Sequence, residues 1–162
     1  MVLKISEIIS TWFWVGKVPW APGTFGTLAA LPFAYALSFL GPIAFMSVTI
    51  IGVFVGIVAA DFYESSLGEH DSGEIVIDEV VGLLISLTWL PMTWQSLVLG
   101  FCVFRFFDIL KPFPISWLDQ KIKGGLGVML DDVAAGVITN IILQIVYTQT
   151  SWLGVQLIQI SS

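Results

Sequence analysis

Charge is missing from three long stretches of this chain. Residues 18–60, 80–104 and 133–162 contain no Asp, Glu, Lys or Arg; every such residue falls between Lys4 and Lys17, Asp61 and Glu79, or Arg105 and Asp132. Apolar stretches of that length must either fill a large core or face lipid. Composition favours lipid. A hydrophobic content of 57%, a mean hydropathy of +0.94 and 7 tryptophans in 162 residues exceed what a soluble core of this size can hide. The expected fold class is all-α: a multi-pass transmembrane helical bundle with an N-terminal interfacial helix, forming one domain over residues 1–162. A soluble bundle is the competing solution, since helices of about 14 to 16 apolar residues also suit a large buried core.

A spanning helix needs about 20 apolar residues, so 18–60 holds two, broken at Gly41-Pro42. The 80–104 stretch holds a second, shorter pair only if its helices extend to about 75–90 and 95–110, turning at "LPMTW". One more span is expected over roughly 133–150, giving five, with the uncharged tail outside or at the far interface. Two hairpins return the chain to its starting side, so all charged blocks share one face. All 6 Lys and Arg lie on that face, which marks it as cytoplasmic.

At the N-terminus, Ile5, Ile8, Ile9, Trp12 and Phe13 recur at helical spacing opposite Lys4, Ser6, Glu7, Ser10 and Thr11, the pattern of a helix lying in the interface. No basic n-region with a cleavage site precedes it, so no removable signal peptide is expected. Cys102, the only cysteine, sits in "LVLGFCVF" and reads as a small buried hydrophobe; internal disulfides are excluded. His70 reads as solvent-exposed loop. Only 6 basic residues make a poor footprint for nucleic acid, which is set aside as a partner.

Acidic residues gather in "DSGEIVIDEVVG", "RFFDILKPFP" and "DQKIKGGLGVMLDDVAAG". Ionisable groups at the ends of spanning helices are costly and point to function. Arg105 and Lys111 flank Asp108 at helical spacing, whereas Asp78, Glu79, Asp131 and Asp132 have no base within a turn. Brought together, these four would repel unless a cation sits among them. Oxygen ligands without clustered His or Cys suit a hard cation, Mg²⁺ or else Mn²⁺ or Ca²⁺, and Mg²⁺ commonly binds phosphate oxygens too. A set of structural ion pairs is the plainer alternative.

Other features lean toward phosphate with a structural alternative beside each. "VPWAPGTFGTLAALP" puts Thr24 at the start of the first span, either to cradle a phosphate or to cap the helix. "KGGLGVMLDD" is either a phosphate-approaching loop or a glycine turn. Lys111-Pro112 ends its helix and holds the lysine at the interface, to contact phosphate or to snorkel. Cys102 stands too close to Arg105 for a cysteine phosphatase loop, and no GxSxG elbow occurs, which leaves metal and carboxylate schemes for hydrolysis.

With "APGTFGTLAALP", "IVIDEVVG" and "FRFFDILKPFPISWLDQKIKGGLGVMLDDVAAG" in that order, the chain resembles the phosphatidylglycerophosphatase A family of bacterial membrane lipid phosphatases over most of residues 16–136. The resemblance implies Mg²⁺-dependent hydrolysis of the terminal phosphomonoester of phosphatidylglycerophosphate at the cytoplasmic face of the inner membrane. It maps acidic positions onto Asp71, Asp78, Glu79, Asp108, Asp119, Asp131 and Asp132, and basic ones onto Arg105 and Lys111. Thr27 stands where the family more often has serine, and "VGKVPWAPGT" is less glycine-rich than the usual lead-in.

On that basis Asp78, Glu79, Asp131 and Asp132 are expected to hold Mg²⁺. Arg105, Lys111 and Thr24 are expected on the substrate phosphate, with Asp108, Arg105, Lys111 and Asp71 in catalysis. Attack by water and an aspartyl-phosphate intermediate both fit. A CDP-alcohol phosphotransferase would also put aspartates beside Mg²⁺, but "DDVAAG" lacks the arginine of its signature. A non-enzymatic ion carrier would need its carboxylates near the midplane, not at one edge.

Overall fold

A computed structural model describes residues 2–68 and 72–154, the side chain of Asp119 excepted. Among the described residues there is no strand, and seven α-helices follow in order: α1 Val2–Ser10, α2 Pro22–Ser38, α3 Pro42–Leu67, α4 Ile77–Leu87, α5 Trp94–Leu110, α6 Ile115–Lys121 and α7 Gly124–Gln149.

The breaks follow local chemistry. α2 starts at Pro22 and α3 at Pro42, where a missing N–H is harmless. Gly41, at φ 90°, makes the turn between them. α5 is capped by Thr93, whose side chain accepts the Ser96 N–H at 3.2 Å, and stops at Lys111, held left-handed ahead of Pro112.

Two helices, α3 and α7, are long and apolar enough to cross a membrane, each with 26 residues. At 1.5 Å per residue they reach about 39 Å, against a hydrocarbon thickness of about 30 Å. The outer surface carries Ile43, Ile51, Phe54, Val58, Val137, Ile141 and Ile145, all exposed. A belt of that kind marks a membrane protein.

The expectation of five spans, with a shorter second pair, needs correction at α4. It has 11 residues, about 16 Å, too short to cross. All but Glu79 and Ile85 of them are buried. It lies at the centre, packed on α2, α3, α5 and α7. Val80, Val81, Leu83, Leu84 and Leu87 join Phe104, Met129 and Ala135 in the main core. The last helix also begins earlier than expected, at Gly124, so Asp131 and Asp132 lie inside its third turn.

One further expectation is overturned, at Cys102, and one holds, at α1. α1 packs on α3, with Ser6 and Ser10 buried and Val2, Leu3 and Ile5 exposed, as a helix lying in the interface requires. Small polar residues let the backbones approach, and lipid offers apolar side chains no reason to turn inward. Cys102 is exposed on the outside of α5, not buried, for the same reason. His70 and residues 155–162 of the tail lie outside the described residues.

Candidate active site

Four segments bring their polar ends to one cavity of about 300 Å³: the start of α2, the start of α4, the end of α5 with Lys111, and the third turn of α7. Asp78 and Glu79 belong to the first turn of α4, where negative charge faces the positive end of the helix dipole. The Glu79 N–H is accepted by Asp78 Oδ1 at 3.0 Å. Asp132 approaches from α7, and one carboxylate oxygen from each of Asp78, Glu79 and Asp132 lies within 4.8 Å of the others.

Like charges at that spacing repel by about 3 kcal/mol per pair at an effective dielectric near 20. Three such pairs rival the stability of a whole domain. The cavity wall as a whole holds five carboxylates against Arg105 and Lys111, so its own bases do not neutralise it. Glu79 Oε2 and Asp132 Oδ1 are buried without a hydrogen-bond partner. An all-oxygen group with orphaned buried lone pairs fits a hard divalent ion.

Arg105 is held on three sides. Its guanidinium pairs with Asp108 one turn along α5, reaches Glu79 at 3.5 Å, and donates to Thr24 Oγ1 at 3.4 Å. Lys111 does not join Asp108 as the sequence spacing suggested; its Nζ lies 2.6 Å from Asp131. The left-handed backbone at Lys111, φ 41°, turns the chain out of α5 next to this contact.

Of the four expected metal ligands the structure therefore brings three together, Asp78, Glu79 and Asp132, and sets Asp131 against Lys111. Thr24 is not a helix cap: Ala21 occupies that position, and Thr24 is the third residue of α2. The glycines at 124–125 start a helix and do not line the cavity. There the Gly125 N–H donates to Asp61 Oδ1 at 3.1 Å, tying α7 to α3. Asp71 lies outside the described residues, as does the side chain of Asp119.

Gly23 was expected at the entry to the first span, in a helix start that could cradle phosphate; its contact with Glu79 was not. A Cβ there would fall 1.8 Å from Glu79 Oε1 and 3.3 Å from Arg105 Nη1, so only glycine lets Glu79 take its place. The signal was present as "PG" at a helix start, but it is shared with many inert helix starts.

Fold and site together define a helical membrane protein with an acidic cavity where several helices meet. The family model for phosphatidylglycerophosphatase A matches residues 8–147, and the chain belongs to that family. It is 41% identical over 145 residues to phosphatidylglycerophosphatase A of Escherichia coli (strain K12), covering 87% of this chain and 84% of that one. To the Haemophilus influenzae protein of the same name it is 39% identical over 144 residues, 88% of each chain. A Bacteroides thetaiotaomicron protein provisionally named phosphatidylinositol-3-phosphatase is 40% identical over 146 residues, covering 85% of this chain and 91% of that one. No solved structure matches the chain.

Proposed function

We propose that this chain hydrolyses the terminal phosphomonoester of phosphatidylglycerophosphate, releasing phosphatidylglycerol and inorganic phosphate. We read it as a multi-pass protein of the bacterial inner membrane with its site at the cytoplasmic face and Mg²⁺ as its ion. Family membership supports the reaction, and one observation carries the reading of the site. Asp78, Glu79 and Asp132 converge beside Arg105 and Lys111 around a single cavity.

In this reading Asp78, Glu79 and Asp132 hold the ion. When bound, Mg²⁺ supplies Lewis-acid polarisation of phosphoryl oxygens and a water acidified toward neutral pH. Arg105, oriented by Asp108, Glu79 and Thr24, offsets the negative charge on the equatorial phosphoryl oxygens. Lys111 adds a second positive charge from the end of α5. Asp108, Asp131 and Glu79 each face a base, and Glu79 also faces Asp78 and Asp132. We take water as the nucleophile, with an aspartyl-phosphate as the alternative. The P–O ester bond breaks, the glycerol oxygen leaves as a hydroxyl with a proton from solvent or the site, and phosphate departs.

The test is phosphate release from phosphatidylglycerophosphate by purified protein, with Mg²⁺ and with a chelator. Release that depends on Mg²⁺ is expected. No release with Mg²⁺ present would overturn the proposal, and transfer from a cytidine-linked lipid or ion flux in liposomes would replace it. The Bacteroides relative's provisional name makes phosphatidylinositol 3-phosphate the second lipid to supply.

A further inference from the structure

α4 and α7 run parallel and in step. Asp78 meets Asp132, Ser86 lies against Gly136 and Asn140, and between them Gly82 packs on the Asp132 carbonyl and Gly136. Eight residues separate Asp78 from Ser86 and eight separate Asp132 from Asn140, about 12 Å on each helix. α7 thus touches α4 at the carboxylate end and again at its C-terminus, near the middle of the proposed bilayer.

That C-terminus is a liability in lipid. The last four carbonyls of a helix have no intrahelical donor, and lipid offers none. Each of the four is accounted for. The Leu84 carbonyl accepts the Thr88 hydroxyl at 3.0 Å, Ile85 the Thr88 N–H at 3.2 Å, and Leu87 the Leu90 N–H at 3.2 Å. The Ser86 carbonyl takes its donor from another helix, Asn140 Nδ2 at 3.1 Å. The same amide reaches the Thr88 carbonyl at 2.9 Å, and Gln144 Nε2 reaches the Thr88 and Trp89 carbonyls at 3.2 and 3.4 Å.

We propose that Asn140, with Gln144 one turn on, is a positioning residue: its side-chain amide fixes the register of α4 on α7 and thereby the spacing of Asp78 and Glu79 from Asp132. The cause is geometric. α4 is short, ends inside the protein, and continues into residues 88–93, which form no regular helix. Remove the amide, and the orphaned carbonyls must move along or around α7 to find a donor, carrying the first turn of α4 with them. The consequence for ion binding rests on the proposed role of the three carboxylates; the register claim stands apart from it.

The experiment compares wild type with Asn140→Leu, which keeps the bulk and loses the donor, with Asn140→Gln, and with Gln144→Leu. Two quantities are read: the Mg²⁺ concentration for half-maximal phosphate release, and the rise in melting temperature with Mg²⁺ in detergent. Asn140→Leu should raise that concentration roughly 10- to 100-fold, the range for lost supporting contacts at metal sites. Asn140→Gln should recover most of the shift. If Asn140→Leu does not fold, Gln144→Leu carries the test with a smaller shift in the same direction. A lower melting temperature with an unmoved Mg²⁺ midpoint would reduce Asn140 to a structural contact and overturn the proposal.

A metal-free arm separates this from failure of the ion site. In a Cys102→Ala background, the pair Asp78→Cys and Asp132→Cys is oxidised with Asn140 intact and with Asn140→Leu. Cross-linking should fall in the Asn140→Leu variant. Equal cross-linking in both would overturn the register claim, whatever the response of the wild type to Mg²⁺.

Discussion

Adjacent residues in this site have different work, and substitutions can separate them. Asp132 belongs to the three-carboxylate group, whereas Asp131, one residue away on α7, faces Lys111 at 2.6 Å. Asp132→Asn should therefore raise the Mg²⁺ requirement by roughly 100-fold or more, beyond what supporting contacts cost. Asp131→Asn should leave the Mg²⁺ midpoint in place and weaken substrate use through Lys111, read as a raised KM; a shifted midpoint would return Asp131 to the ion. Gly23 makes the converse point. Gly→Ala within a helix ordinarily stabilises by about 0.5–1 kcal/mol, yet a Cβ at Gly23 would occupy the place of Glu79 Oε1. Gly23→Ala should keep or raise the melting temperature in detergent while phosphate release falls at least about tenfold, the scale of a displaced first turn beside the chemistry.

Between helices, α4 and α7 touch through backbone. A Cβ on Gly136 would lie 2.5 Å from the Gly82 carbonyl oxygen, and one on Gly82 would lie 2.5 Å from the Phe104 ring and 2.9 Å from the Asp132 carbonyl oxygen. Small residues at such a crossing are how membrane helices approach. Because the obstacle at Gly136 is main chain, Gly136→Ala should cost about 1–3 kcal/mol, the range for overpacking. Thermal unfolding in detergent checks this, and an unchanged midpoint would mean the helices stand further apart. These elements also show what could be read in advance. Pro22, Gly41-Pro42 and Lys111-Pro112 punctuate the chain by local backbone chemistry, so those boundaries were legible. The length of α4 was not, since a buried half-helix and a lipid-facing span have the same apolar text, and the Asn140 and Gln144 amides that meet the carbonyls at its end come from 50 or more residues away. Likewise the gathering of Asp78, Glu79 and Asp132 was legible from their lack of nearby bases. The pairing of Lys111 with Asp131 was not, because it depends on how α5 and α7 meet.

Across the whole molecule, the apolar length beyond the carboxylates underlies the proposed orientation in the bilayer. From Val133 to Gln149 α7 carries no charge over 17 residues, about 25 Å, close to the thickness of the hydrocarbon core. In the proposed placement Asp132 stands at one boundary, and the midplane falls near Asn140, where the half-buried Asn140 and Gln144 amides are. On α3 the charge-free part runs from Pro42 to Ala60, 19 residues, and ends at Asp61, which meets the start of α7 through Gly125. The two long helices therefore place their charged ends together, beside the cavity, and their apolar ends together on the other side. Single cysteines in a Cys102→Ala background test this arrangement. When the protein is expressed in a bacterial inner membrane, an impermeant maleimide added outside spheroplasts should label Ser151→Cys, and should label Lys123→Cys only after lysis. Residues 123 and 151 flank a helix of 26 residues, so labelling of both from one side would mean that α7 does not cross. That result would also remove the boundary position of Asp132, because a carboxylate group beside two cations can meet a phosphorylated headgroup only if its end of α7 lies at the surface where such lipids present their phosphates.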